Sequence, residues 1–115
     1  DFTVLSGDDP LLWPILAIGG EGVISVTANI LPNAVCKLCS SAEEGDFKNA
    51  QDIHYSLMGI NNALFIDTNP VPVKAALHLM GKIENELREP LVELSDDRLK
   101  VLKKAMAYHG LLVVK

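Results

Sequence analysis

The run Gly22-Val23-Ile24-Ser25-Val26-Thr27-Ala28-Asn29 constrains the fold more than any other feature. It is rich in β-branched residues and almost continuously apolar, whereas a strand with one wet face alternates. A run of this kind belongs in a sheet covered on both faces, which is the signature of parallel pairing. A second β-type run, Phe2-Thr3-Val4-Leu5-Ser6, lies upstream and ends at Gly7-Asp8-Asp9. Between the two, Asp9 is placed to N-cap a helix with Pro10 at its first position, where a missing N–H costs nothing. Leu11 to Ile18 is then apolar on nearly all sides, and Gly19-Gly20 stops it. About a dozen residues is the minimum for a parallel crossover, so the segment reads as a βαβ unit with the right-handed connection as default. Two parallel strands alone leave both edges unpaired. The chain therefore reads as the end of a larger α/β protein whose other strands complete the sheet. Its opening on Asp1 and strand-type residues fits that reading, and fits a trimmed mature protein equally.

Beyond Asn29 the periodicity changes to that of helices. Pro32 opens a helix running through Leu38 and Cys39 to Glu44, ended by Gly45. Asp46 caps a long helix, with Phe47, Ala50, Ile53, Leu57, Ile60 and Leu64 recurring at three- and four-residue steps. Asn69-Pro70-Val71-Pro72 is expected to be extended and stiff, because each proline pushes its predecessor away from helix. A helix follows with Val73, Ala76, Leu77 and Met80 on one face, ended by Gly81. Lys82 to Leu94 is a loop, extended near Pro90, and Ser95-Asp96-Asp97 starts a last helix that stops at Gly110. Residues 1–45 thus form a strand–helix region and 46–115 a helical one.

Net charge is −5 with a pI near 5.0, and no cluster of Lys and Arg stands out. That argues against a nucleic-acid or anionic-membrane partner. Neither a signal peptide nor a run approaching the roughly 18 apolar residues of a spanning helix is expected. Cys36 and Cys39 form a C-x-x-C inside an apolar-periodic helix. They read as thiols on a core stripe rather than a redox or metal pair, which suits a reducing cytoplasm. His54, His78 and His109 share no ligand spacing, so no metal site is expected. Trp13 and Met80 read as core, and Glu84, Glu86, Glu89 and Glu93 as a solvated face. Ser25 and Thr27 have no histidine nearby in sequence to activate them as nucleophiles. Gly19-Gly20-Glu21-Gly22 precedes a strand instead of opening a helix, so it is not a phosphate loop.

Several stretches together carry a family resemblance. They are Leu5-Ser6-Gly7-Asp8-Asp9, Gly19 to Asn29, Glu44-Gly45-Asp46-Phe47, Ala63-Leu64-Phe65, Asn69-Pro70-Val71-Pro72-Val73-Lys74 and Leu87-Arg88-Glu89-Pro90-Leu91. The closing helix before His109-Gly110-Leu111 belongs with them. The chain resembles the C-terminal part of the dihydrodipicolinate synthase family, within the pyruvate-dependent class I aldolases. The resemblance implies the last two strand–helix units of a TIM (β/α)8 barrel followed by C-terminal helices, with the first six strands absent. It implies a lyase of lysine and diaminopimelate synthesis, usually a homotetramer, that condenses aspartate semialdehyde with pyruvate. Pyruvate is held as a Schiff base on a lysine, and no cofactor is required.

By the same resemblance that lysine lies on the sixth strand of the barrel, upstream of Asp1. Lys37, Lys48, Lys74, Lys82, Lys100, Lys103, Lys104 and Lys115 all fall on helices, in a loop or at the tail, and none in either strand. A Schiff-base lysine must be made neutral by burial or a neighbouring cation, so no catalytic residue is expected in this chain. Lys74, near a helix start, is the least ordinary and still reads as structural. By resemblance, the backbone of Gly7 and Ile24 lines the pyruvate pocket, and a glycine at a strand end permits close backbone approach. Asp8 and Asp9 sit near the pocket mouth by resemblance; helix capping explains them as well. Asn69 orients a loop near the barrel top, or forms an Asx turn before Pro70. Ile18 is a contact between dimers of the tetramer, or ordinary helix packing. Two alternatives stay open: another pyruvate aldolase (an N-acetylneuraminate or keto-deoxy sugar-acid lyase), and a non-catalytic module whose strands pair with a partner.

Overall fold

The computed structural model describes residues 2–112 and divides into two compact units, Asp1–Asn61 and Asn62–Lys115. In the first unit, β1 (Leu5–Ser6) and β2 (Gly22–Val23) pair in parallel, with Leu5 opposite Gly22 and Ser6 opposite Val23. Glu21 N–H donates to Val4 O at 2.9 Å and Ile24 N–H to Ser6 O at 2.9 Å, which extends the ladder by a rung at each end. Between the strands run a 3₁₀ turn (Asp9–Leu11) and helix α1 (Leu12–Ala17). The chain leaves α1 through Gly19 at φ +98°. A Cβ on Gly20 would collide with Ile15, so only glycine lets the chain turn back onto β2 here.

Both strands are shorter than their apolar runs. The run from Gly22 to Asn29 stays extended only at its start, and Thr27–Asn29 is a 3₁₀ turn. The reason lies outside the run, in the Asp9 carboxylate, which captures the Val26 and Thr27 amides. Asp9 is not the N-cap either: that position is Asp8, whose side chain makes no capping bond.

Helix α2 (Pro32–Glu43) buries Val35, Leu38 and Ser41 at three-residue steps and packs against α1. Cys36 is exposed and Cys39 half-buried, which corrects their placement on the core stripe. Each falls one position past a buried residue, rotated about 100° from it on a 3.6-residue helix. Burial and the neighbouring Cys36 push the Cys39 thiol above its ordinary pKa. Helix α3 (Phe47–Leu64) starts where Asp46 Oδ1 accepts the Asn49 N–H at 3.1 Å, the expected cap. Ala50, Leu57 and Ile60 form its buried face in the first unit. Phe47 lies outside that face; it is 58% exposed and meets the half-buried Trp13 ring at 5.6 Å between centroids.

The second unit holds the end of α3, helix α4 (Val71–Leu79) and helix α5 (Asp96–Tyr108). Residues 69–72 are not extended: the Asn69–Pro70 bond is cis within a turn, and the helix starts at Val71. Pro72 is tolerated there because the first helical N–H groups have no intrahelical partner to lose. Val71, Val73, Ala75, Ala76, Leu102 and Met106 are buried, and α4 packs on α5. Met80, read as core, is half-buried as the C-cap of α4. Residues 82–95 carry no helix or strand, as the loop reading requires.

His54 on α3 lies 5.4 Å from the Tyr55 ring, and burial holds its imidazole below the ordinary 6.5. A depressed folded pKa means the unfolded chain takes up the proton first. Stability from this group is therefore present above about pH 6.5 and lost as pH falls through the folded value. His54→Gln is expected to flatten the thermal midpoint between about pH 7 and pH 5. A variant that keeps the parent's full pH slope contradicts this assignment.

Candidate functional site

The C-terminal ends of the two strands lie side by side because the pairing is parallel, and the last rung joins Ser6 to Ile24. Gly7 and Ile24 are consequently neighbours at that end. Gly7 is exposed, and a Cβ built on it meets nothing within 4 Å. Ile24 is 73% exposed, its N–H spent on Ser6 and its side chain in the open. Ser6, 1% exposed, shapes the turn: its hydroxyl donates to Asp8 O at 2.7 Å, and its Oγ accepts the Asp8 N–H at 3.1 Å.

The sequence singles out Asp9 as a helix cap or a pocket-mouth residue, and its long-range contacts are what sequence reasoning missed. Asp9 is 5% exposed and points away from its own helix. Its Oδ2 accepts the N–H groups of Val26 (2.9 Å) and Thr27 (3.2 Å), and its Oδ1 accepts the Ser25 hydroxyl. Ser25 Oγ in turn accepts the Ala28 N–H at 2.8 Å. The clasp ends the strand at Val23, because amides turned toward one carboxylate cannot continue a ladder. Thr27 then anchors the turn: its Oγ1, fully buried, donates to Asn61 Oδ1 on α3 at 2.7 Å. The only sequence signal was hydroxyls at 25 and 27 inside an apolar run, a pattern equally at home in a strand.

The other candidates lie apart. Ile18 is the C-cap of α1 and is 86% exposed. Asn69 is an exposed turn residue of the second unit. In that unit the Asp67 carboxylate accepts the Thr68 N–H at 2.7 Å and pairs with Arg98. The backbone bond first, then the guanidinium, holds it below the usual carboxylate range. Lys74 donates its ammonium to Glu86 O, and the other described lysines are exposed; Lys115 lies outside the described residues.

Cavities flank these elements in both units. In the first unit a groove of about 500 Å³ runs between β2 and α2, lined by Leu5, Val23, Val35, Cys39 and Glu43 among others. In the second, a cavity of about 450 Å³ is lined by His78, Glu84, Glu86 and Glu93. Among the described residues no group of three His, Cys, Asp or Glu is placed to hold a metal ion. No helix among them is long and apolar enough to cross a membrane.

This strand–helix–strand unit and the helices after it are matched, over residues 1–108, by the sequence profile of the Dihydrodipicolinate synthetase family. The chain belongs to that family. A 4-hydroxy-tetrahydrodipicolinate synthase from Methanocaldococcus jannaschii is 50% identical over 110 residues, 96% of this chain and 38% of that protein. A monomeric dihydrodipicolinate synthase variant superposes with a TM-score of 0.94 at 44% identity, covering 96% of this chain and 37% of its own. The chloride-inhibited synthase of Acinetobacter baumannii, complexed with pyruvate, gives 0.91 at 38% identity, covering 96% and 38%. The chain thus spans about 38% of the length of such synthetase relatives.

Proposed function

We propose that this chain supplies the last two strand–helix units of a (β/α)8 barrel, with its C-terminal helices, to a pyruvate-dependent lyase. In this reading a lysine outside the chain holds pyruvate as a Schiff base and aspartate semialdehyde is the second substrate. The product serves lysine and diaminopimelate synthesis. One observation carries the reading: the parallel rung from Ile24 N–H to Ser6 O sets Gly7 beside Ile24 at the C-terminal strand ends. Barrel enzymes bind their substrates at that end. Here the backbone of Gly7 and Ile24 lines the pyruvate pocket, with Asp8 at its mouth. The relative solved with pyruvate and the synthase names of the relatives favour this substrate pair over sugar-acid aldolases.

The chain alone is expected to be inactive. A Schiff-base amine must be neutral, and the described lysines are solvated or, at Lys74, turned to a backbone carbonyl. The apolar residues left open on and beside the sheet fit the same reading, since Phe2, Val4, Leu5 and Ile24 face water in this chain. Exposed Ile18 is assigned to a contact between copies of the complete enzyme. Free thiols at Cys36 and Cys39 suit the cytoplasm.

The test is a full-length chimera in which residues 1–115 replace the matching 38% of the Methanocaldococcus jannaschii relative. Borohydride added with pyruvate is expected to inactivate it and to add the mass of a reduced pyruvyl group. Full activity after that treatment would sink the Schiff-base reading.

A further inference from the structure

We propose that Asp9 is a positioning residue for the oxo-acid pocket, its carboxylate clamping the turn after β2 so that the Ile24 backbone is fixed beside Gly7. The inference rests on the pyruvate-dependent reading of the strand ends.

The geometry gives the Asp9 side chain no local role. Asp8 holds the N-cap position of the following turn, and no side chain caps it. The Asp9 carboxylate instead reaches across to the other strand end and engages residues 25, 26 and 27 directly. Residue 28 follows through Ser25 Oγ. Four consecutive residues are therefore tied to one buried side chain. Ile24 precedes them and is held on its other side by the rung to Ser6 O. Its backbone sits between two fixed points, and removing the clamp frees one of them.

The carboxylate also occupies a concavity of backbone N–H groups, the kind of site that takes small anions. An alanine at position 9 leaves the Val26 and Thr27 N–H groups and the Ser25 hydroxyl facing a space the size of a carboxylate. Free formate can fill it. Asparagine keeps one acceptor for the amides and presents an N–H to Ser25 where an acceptor stood, so it restores part of the clamp.

In the full-length chimera, Asp9→Ala is expected to lower kcat/KM for pyruvate about 100-fold, the scale of a misplacement of about 1 Å. Most of the loss falls in the pyruvate KM, and borohydride trapping still goes to completion at saturating pyruvate. Formate restores a measurable part of the loss in Asp9→Ala and leaves the parent unchanged; Asp9→Asn falls between the two. A folded Asp9→Ala protein with the parent's pyruvate KM overturns the proposal. So does loss of trapping at every pyruvate concentration with no response to formate, because that is collapse rather than mispositioning. Where Asp9→Ala does not fold, Asp9→Asn decides: an unchanged pyruvate KM overturns the proposal and a raised one supports it. A parent chimera that borohydride and pyruvate never trap refutes the pyruvate reading itself, before any variant is made, and the inference falls with it.

Discussion

Leu102→Ala is expected to lower the stability of the second unit by about 2–5 kcal/mol, the range for emptying a buried leucine site. Leu102 and Met106 are both 0% exposed, one turn apart on α5, and are the buried residues of that helix. Most of its exposed positions are charged: Asp96, Asp97, Arg98, Lys100, Lys103 and Lys104. Helix α5 thus docks on α4 through a narrow apolar stripe, and most of the stability of a short helix comes from such docking. Val101, next in sequence and 48% exposed, is the control. Val101→Ala is expected to stay within about 0.5 kcal/mol of the parent. Met106→Leu, a near-isosteric exchange, should cost under about 1.5 kcal/mol. The check is the denaturant midpoint together with hydrogen exchange of the α5 amides. If Leu102→Ala costs no more than Val101→Ala, this stripe does not hold the helix.

Helix α5 was legible in the sequence because period and punctuation agreed. Leu102 and Met106 are spaced by one turn, acidic residues crowd the start, and Gly110 past the end adopts φ +66°. The same agreement located α2, α3 and α4, with Gly45 at φ +80° and Gly81 at φ +70°. Cys36 and Cys39 were misplaced because an apolar stripe is more than 100° wide, and sequence alone does not say which margin meets a neighbour. Residues 69–72 misled for a related reason. A residue before a proline, as Asn69 and Val71 are, reads as extended, yet the first turn of a helix accepts a proline such as Pro72.

The site was legible only in outline. Parallel pairing of two apolar runs was enough to bring Gly7 and Ile24 together, since register and direction fix which ends coincide. What ended the second strand was invisible. Residues 24–29 have the composition of a buried strand, and nothing in them announces a carboxylate sixteen residues upstream of Ser25 that bonds their amides. An acid followed by proline already had a local explanation as a helix cap. The structure gives that carboxylate a long-range one, in which two strand ends are tied to each other.

The anchor of that turn yields the second large effect. Thr27 is 0% exposed and Asn61 3% exposed, and the hydroxyl of one donates to the amide oxygen of the other at 2.7 Å. Thr27→Val keeps the shape and removes the donor, leaving Asn61 Oδ1 buried without it. That is expected to cost about 1–3 kcal/mol, the desolvation penalty of an orphaned acceptor. Asn61→Leu inflicts the complementary loss on the Thr27 hydroxyl. Replacing both removes the need for either partner, so the double variant should be more stable than the two single losses predict, by at least about 1 kcal/mol. Thr27 also spends its N–H on Asp9 and its carbonyl on the Ile30 and Leu31 N–H groups, contacts that valine retains. Slower-exchanging Ile30 and Leu31 amides in the double variant than in either single one would place the coupling at this turn. Strict additivity of the two losses would mean that the bond contributes nothing beyond what each residue's packing supplies.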